Sequence, residues 1–465
     1  MQNTPLAPFA LSLILGIVAG HYFHIQQPLL LTIMVAVVVA AFLCRQRPSL
    51  QSLLLSAGFL VAGMAIAPAP ESPHPATPFE GVVISESADK PKTVAVDVLI
   101  PEGDRQLRLY IGKDERARRL RIGDGIVVEQ TRQAYVGPRS WHPGGQAALK
   151  LSTPQRLKIQ ALQWRHRLLM RYRQSTASQE EAYGVLAAMT LGDKSALSRS
   201  QRDTFATTGA SHVLALSGLH LGIIYMLLTR LMAGRRRHWL KQSLLILSIW
   251  AFAFLTGLST SMVRAAVMLT VFSLFAATSR QRASLNRLCL TAMVMLFYDS
   301  SQLFDIGFQL SFTAVFSILL CTPLMERLVS QRYLMEHRLQ RWLWSMLTVT
   351  LAAQIGTAPL IAYHFGQFST YFLLTNLFVL PVTTLILYGA LLFLLTSWSA
   401  IGTALLTLVT ILGRGLALIA ALPEACIRGL HPSVLQVCMV YVVIASLCIM
   451  ADRLLPDKNT RRKFA

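Results

Sequence analysis

Apolar runs of about 20 residues, long enough to cross roughly 30 Å of hydrocarbon, recur along almost the whole of this sequence. No other feature constrains the fold as strongly. Hydrocarbon offers a backbone N–H or C=O no water to bond, so a spanning segment must close its own hydrogen bonds. Runs of this length predict helices that do so. Composition agrees: 54% of the 465 residues are hydrophobic and 14% are charged. A soluble chain is about a quarter charged, so this one has too few charges to cover a water-facing surface of its size.

Three runs come first, at 6–22, 29–44 and 50–67. Nine more follow, at 211–232, 242–258, 261–278, 285–297, 303–324, 343–363, 372–397, 401–422 and 434–450. The expected fold class is therefore an α-helical polytopic membrane protein with about 12 transmembrane helices. The first run has no basic leader and two more runs follow at once, so it reads as a retained span rather than a signal peptide. Gly16 and Gly20 form a GxxxG, which predicts close helix packing. The net charge of +21 fits basic cytoplasmic loops. With the Arg45/Arg47 loop inside, the basic segments 234–238, 279–282, 326–341 and 461–463 also fall inside. Both termini are then cytoplasmic, and the chain between the third and fourth runs lies outside.

That outer stretch changes character. After a proline-rich break near 67–75, segments 81–86, 93–100, 106–111 and 125–131 alternate like short strands. They predict a small extracytoplasmic β-rich, OB-like domain. From Pro154 to Gln174 the pattern turns helical, with Leu157, Ala161, Trp164, Leu168 and Tyr172 as the expected apolar side. Arg156, Lys158, Arg165, Arg167, Arg171 and Arg173 add charge with no acid among them. The positive-inside tendency does not account for an outer basic helix. Two readings stand: it lies on lipid headgroups, or it contacts nucleic acid, with Trp141, Trp164 and Tyr135 as candidate stacking surfaces. The expected organisation is 1–67, a three-span segment; 68–153, the β domain; 154–210, basic and linker helices; 211–451, the main membrane domain; and 452–465, a basic tail.

Polar side chains within the apolar runs are costly and hence functional candidates. Ser217 and His220 share a helical face; they either bond within the bundle or form a catalytic pair. Arg264 follows a Thr256–Ser261 break that leaves a helix N-terminus beside it, an arrangement that suits phosphate. Alternatively Arg264 pairs with Asp305. His212, Gln309, Gln354, His364 and Asn376 complete the candidate polar path, and Pro359 and Pro381 predict kinks or broken helices around it. Arg414 has no evident partner. The six cysteines have neither disulfide nor metal-ligand spacing, so no metal and no cofactor are expected.

These residues carry a resemblance. Leu191-Gly-Asp-Lys-Ser, Phe205, Thr208-Gly, and Ser211-His-Val-Leu-Ala-Leu-Ser-Gly-Leu-His-Leu-Gly222 resemble the signature of ComEC-type competence proteins. Thr256-Gly-Leu-Ser-Thr-Ser-Met-Val-Arg-Ala-Ala, Phe304-Asp-Ile-Gly-Phe-Gln-Leu-Ser-Phe and Gln354…Ala358-Pro359…Tyr363-His-Phe-Gly continue it in order. The resemblance implies an inner-membrane channel that admits single-stranded DNA during natural transformation. Longer members carry a metallo-β-lactamase-like domain. The eleven histidines here include no His-x-His-x-Asp-His cluster, so the expectation is a short form without its own nuclease. Gly192-Asp-Lys-Ser lacks the upstream glycine of a nucleotide-binding loop. The expected partners are single-stranded DNA, membrane lipids, an outer DNA receptor, and a separate motor ATPase and nuclease. The other readings are a transporter or flippase for another anionic polymer or lipid, and an intramembrane Ser/His hydrolase.

Overall fold

The structure, a computed structural model, describes residues 4–23, 26–68, 78–131, 134–144, 151–175, 180–232, 238–276 and 284–455. The basic segments 234–237, 279–282 and 461–463, and most of the proline-rich break, lie outside the described residues.

Three apolar helices open the chain: α1 (Ala7–Tyr22), α2 (Gln27–Leu43) and α3 (Pro48–Ala65). The paired glycines act as their spacing predicts. A Cβ on Gly16 would run into the Leu60 carbonyl of α3, and one on Gly20 would lie 2.6 Å from the Met64 carbonyl. Facing them, Gly63 of α3 meets α1 backbone in the same way. Small residues on both sides let the two backbones touch.

The β domain follows, with β1 (Phe79–Val83), β2 (Ala88–Asp89), β3 (Thr93–Ile100), β4 (Arg105–Gly112), the short helix α4 (Glu115–Arg118), β5 (Gly125–Val128), β6 (Tyr135–Val136) and β7 (Trp141–Gly144). All four expected strands form. The sheet order is β6-β4-β3-β1-β5-β7, with β2 beside β3, and every pairing is antiparallel except β4–β6. Val94, Val96 and Val98 of β3 and Leu109 and Ile111 of β4 build its core with Ile126 and Trp141.

Next come α5 (Thr153–Ser175), α6 (Glu180–Leu191), α7 (Arg199–Thr207) and α8 (Ser211–Leu214). The membrane block continues with α9 (Gly218–Leu231), α10 (His238–Leu255), α11 (Thr260–Ala276), α12 (Ser284–Tyr298), α13 (Ile306–Met325), α14 (Gln331–Glu336) and α15 (Arg338–Phe365). Strand β8 (Gln367–Ser369), α16 (Phe372–Thr396), α17 (Ser399–Ala420), β9 (Cys426–Arg428) and α18 (Val434–Leu454) complete it. Among the described residues six helices, α3, α13, α15, α16, α17 and α18, are long and apolar enough to cross a membrane. Shorter apolar stretches of 10–17 residues are carried by α1, α2, α9, α10, α11 and α12.

Three features depart from the sequence reading. The run expected as one span from 211 is broken between α8 and α9. Conversely, α15 and α16 run on through Pro359 and Pro381; a proline inside a packed helix removes one backbone bond without ending it. Helix α6, expected only as a linker, is buried along nearly its whole length against α16 and α17.

Contacts join helix ends that an alternating path puts on one side. At one end the Leu6 N–H donates to Asn286 Oδ1 in the first turn of α12 (3.2 Å), and Arg327 after α13 pairs with Asp452 of α18 (2.9 Å). At the other, His21 of α1 stacks on Phe304, Ser300 donates to the Ile66 carbonyl, and β8 pairs with β9.

Gly16→Leu should separate α1 from α3 and cost about 1–3 kcal/mol, read as a lower melting temperature of the detergent-purified protein. Gly58→Ala, whose Cβ would meet only Val37 at an ordinary 3.6 Å, should leave that temperature unchanged or raise it.

Candidate functional site

The break between α8 and α9 builds the first polar group. Ala215 and Ser217 are extended, so Ser217 stands at the N-cap of α9 rather than inside a helix. Its backbone N–H donates to His220 Nδ1 at 3.3 Å, and its hydroxyl lies 3.2 Å from the same nitrogen. On one continuous helix these side chains would lie side by side; the break turns them toward each other. An Nδ1 that accepts from a backbone N–H carries no proton, so the ring hydrogen sits on Nε2. His220 is fully buried, and its Nε2 has no partner among the described residues. Among the described residues no carboxylate reaches the ring to orient it, as the third member of a catalytic triad would. His212, on α8, donates from Nδ1 to the Gly209 carbonyl at 3.0 Å.

The second group joins α11, α13 and α15. Arg264 is buried and bonds Asp305 at 3.0 Å. Asp305 also caps α13, accepting the Phe308 N–H at 2.8 Å. Gly307 makes room: a Cβ there would stand 2.6 Å from Arg264 Nη2. Of the two readings for Arg264, the structure gives the ion pair. Gln309 donates to the Leu303 carbonyl (3.0 Å) and accepts from His364 Nε2 (3.1 Å). A mainly apolar cavity of about 290 Å³ lies beside it, between Gln309, Thr313, Leu360 and Tyr441. The Gln309–His364 bond was not legible in the sequence, because 55 residues separate the partners.

The two groups sit on neighbouring helices, since Gly218 at the start of α9 faces Ala265, next to Arg264. Gln354 is half-buried on α15. Asn376 is half-buried on α16, and its buried Oδ1 has no partner among the described residues. No hydrogen bond among the described residues joins either to the first two groups. Arg414 is exposed on α17.

Helix α5 differs from its expected orientation. Leu157 and Trp164 are exposed, while Ile159, Leu162, Leu169 and Tyr172 are buried. The helix is gripped at two sites on different sides. Its first half docks on the β domain through Leu162 against Ile84 and Leu99, Gln155 to Asp104, and Gln163 to the Ile122 carbonyl. Its second half docks on the membrane block, with Tyr172 stacked on Phe393 at 5.7 Å. One periodic stripe cannot describe a helix with two partners. Arg156, Arg167, Arg171 and Arg173 remain exposed, and the Arg167 guanidinium lies 5.0 Å from the Trp164 ring centroid. Lys158 and Arg165 are drawn inward, and desolvation lowers the pKa of both. Trp141 is 3% exposed in the β core, so its ring is not available for stacking. Trp164 and Tyr135 are exposed and are available.

Replacing Arg264 with Met should destabilise the protein by about 1–2 kcal/mol; the half-exposed carboxylate keeps the loss below that of a fully buried pair. A double-mutant cycle with Asp305→Asn, followed by thermal melting, should return a coupling of at least about 0.5 kcal/mol.

The competence protein family matches residues 189–454, a segment that contains both polar groups. ComE operon protein 3 of Bacillus subtilis (strain 168) is 26% identical over 319 residues, covering 66% of this chain and 39% of that protein. An uncharacterized protein of Aquifex aeolicus (strain VF5) is 34% identical over 158 residues, 34% of each chain. The aligned part is thus well under two thirds of either relative. No solved structure matches. With more than half its length matched by one family model, this multi-pass membrane protein belongs to the competence protein family.

Proposed function

We propose that this protein is a channel that passes single-stranded DNA into the cytoplasm during natural transformation. The observation that carries the reading is the exposed arginine row of α5, beside the exposed Trp164, on a helix held between the β domain and the membrane block. Cationic side chains gather a polyanion without reading its sequence, and an aromatic face stacks on any base. Membership of the competence proteins supports a role in DNA uptake.

In this mechanism the chain crosses a bacterial inner membrane about twelve times with both termini inside. The β domain, in the manner of an OB-fold, receives the strand outside. A phosphate is not accepted by hydrocarbon, so the strand follows a wet path. The polar groups at Ser217/His220, Arg264/Asp305 and Gln309/His364, with His212, Gln354 and Asn376, shape that path. Few free cations stand within the spans, which favours passage over retention. An outer receptor delivers the DNA, and separate proteins supply the motor and the nuclease.

Entry of labelled DNA into the cytoplasm of a deletion strain tests the reading. Uptake should vanish and return with the wild-type gene; unchanged uptake would sink the proposal. Changing Arg156, Arg167 and Arg173 to Gln together should weaken strand binding. It should also flatten its salt dependence, by about 0.7 per lost phosphate contact in the slope of log K against log salt.

The Ser217–His220 contact favours a second reading, an intramembrane hydrolase. Its test is labelling by a fluorophosphonate. With His220 unoriented at Nε2, Ser217 should remain unlabelled; labelling lost in Ser217→Ala would favour the hydrolase.

A further inference from the structure

The two cations drawn inward from α5 enclose a space that the channel reading does not assign. A recess of about 580 Å³ lies where three parts of the protein meet: strands β3 and β4, helix α5, and the turn from α10 into α11. Lys158 and Arg165 line it from α5, Asp97 and Arg108 from the sheet, and Thr260 from the first turn of α11.

The charge balance favours an anion. Asp97 is the only carboxylate in the lining, and Arg108 already holds both of its oxygens, at 2.6 and 2.9 Å. Lys158 and Arg165 form no ion pair among the described residues, and Arg165 Nε is buried there without a hydrogen-bond partner. The carboxylates that act on them from further off, Asp104 on Lys158, and Asp193 and Glu86 on Arg165, have their own partners. Asp104 bonds Gln155, Asp193 bonds Ser195, and Glu86 lies against the His166 ring. Desolvation already disfavours both cations; a buried charge without a partner is a cost that an incoming anion removes.

The turn completes the recess. The Gly257 N–H bonds the Phe254 carbonyl and the Leu258 N–H bonds the Ala253 carbonyl, both at 2.9 Å, closing the end of α10. Gly257 adopts φ +82, and a Cβ there would press on Leu162 at 2.9 Å and on the Arg165 side chain at 3.3 Å. The glycine lets α5 seat against the turn. It also leaves Ser259 and Thr260, at the start of α11, lining the same space.

We propose that this recess binds the phosphodiester backbone of an unpaired DNA strand, handing it from the β domain to the membrane block. The proposal rests on the uptake reading and adds a specific subsite to it. A duplex carries its phosphates on the outside of a stiff rod and can touch only the rim. An unpaired strand can bend a phosphate inward between Lys158 and Arg165. The site therefore selects strandedness, not sequence.

The experiment uses the full-length protein in phosphatidylcholine nanodiscs, with fluorescent oligothymidylate and a hairpin duplex as probes across a salt series. The double variant Lys158→Gln/Arg165→Gln should bind oligothymidylate about tenfold more weakly, with its log–log salt slope reduced by about 1.4, two contacts at 0.7 each. Duplex binding should change by less than about twofold. Lys158→Arg/Arg165→Lys, which keeps both charges, should retain the wild-type slope. If wild-type protein binds oligothymidylate and the double variant matches it in affinity and slope, the recess does not hold the strand. If wild-type protein does not bind the oligonucleotide at all, the uptake reading itself fails. A loss confined to nanodiscs containing phosphatidylglycerol, with oligothymidylate binding intact, would assign the cations to lipid headgroups and overturn the proposal. Should the double variant not fold, a benzophenone on Gln106→Cys, at the recess lining, tests the wild-type cations in place. It should crosslink bound oligothymidylate above the level of the parent protein, and absence of that adduct counts against the site.

Discussion

A peptide group in hydrocarbon has no solvent to bond, and each unsatisfied one costs several kcal/mol. Every interruption of a helix in the membrane block therefore needs a local substitute, and several polar side chains of this protein stand at such interruptions. Where α8 stops and α9 begins, His220 accepts the exposed Ser217 N–H. At the start of α13, Asp305 accepts the Phe308 N–H while holding Arg264. At the end of α10, a left-handed Gly257 lets the chain close its own carbonyls. Ser217/His220 and Arg264/Asp305, proposed to shape a conduction path, also satisfy the ends of interrupted helices, whereas Gln354, His364 and Asn376 lie within continuous ones.

Helix α5 joins the water-facing and lipid-facing parts. Its first half belongs to the β domain and its second half to the membrane block. The consequence is a division of its charges. Arginines on the free face stay solvated, while Lys158 and Arg165 lie over the α10–α11 turn and lose water. A helix lying on headgroups would keep all its cations wet and expose its apolar face to lipid. Here Ile159, Leu162 and Leu169 are covered by protein, while Leu157, Trp164 and Met170 stay exposed beside the arginines, as either a strand or headgroups would require.

Much of the fold was legible from one-dimensional patterns. Each apolar run falls on an apolar helix, six of them among the described residues long enough to cross a membrane, though the run from 211 is split between α8 and α9; alternation marked the four main strands of the β domain. The glycine pair of α1 was read correctly because close approach of two backbones depends only on the absence of a side chain. Less of the candidate site was legible. Arg264 had two readings because a helix N-terminus and an aspartate are both local features, and only folding decides which lies nearer. Trp141 read as a stacking surface because an aromatic in a short strand looks the same whether it faces the core or water. Pro359 and Pro381 pointed to kinks or breaks, and α15 and α16 run on through them.

The sequence by itself determined that this chain lives in a membrane, that a β domain interrupts its apolar runs, and which residue types carry charge across the boundary. These are consequences of transfer free energy and hydrogen-bond satisfaction, which act residue by residue along the chain. Tertiary structure alone decided that Ser217 faces His220, that Gln309 meets His364, and that Lys158 and Arg165 turn inward while Arg167 does not. Each of these depends on which element packs against which. Neighbours at helical spacing along α5 look alike in the sequence; they differ because the β domain and the α10–α11 turn cover one side of the helix and leave the other to water.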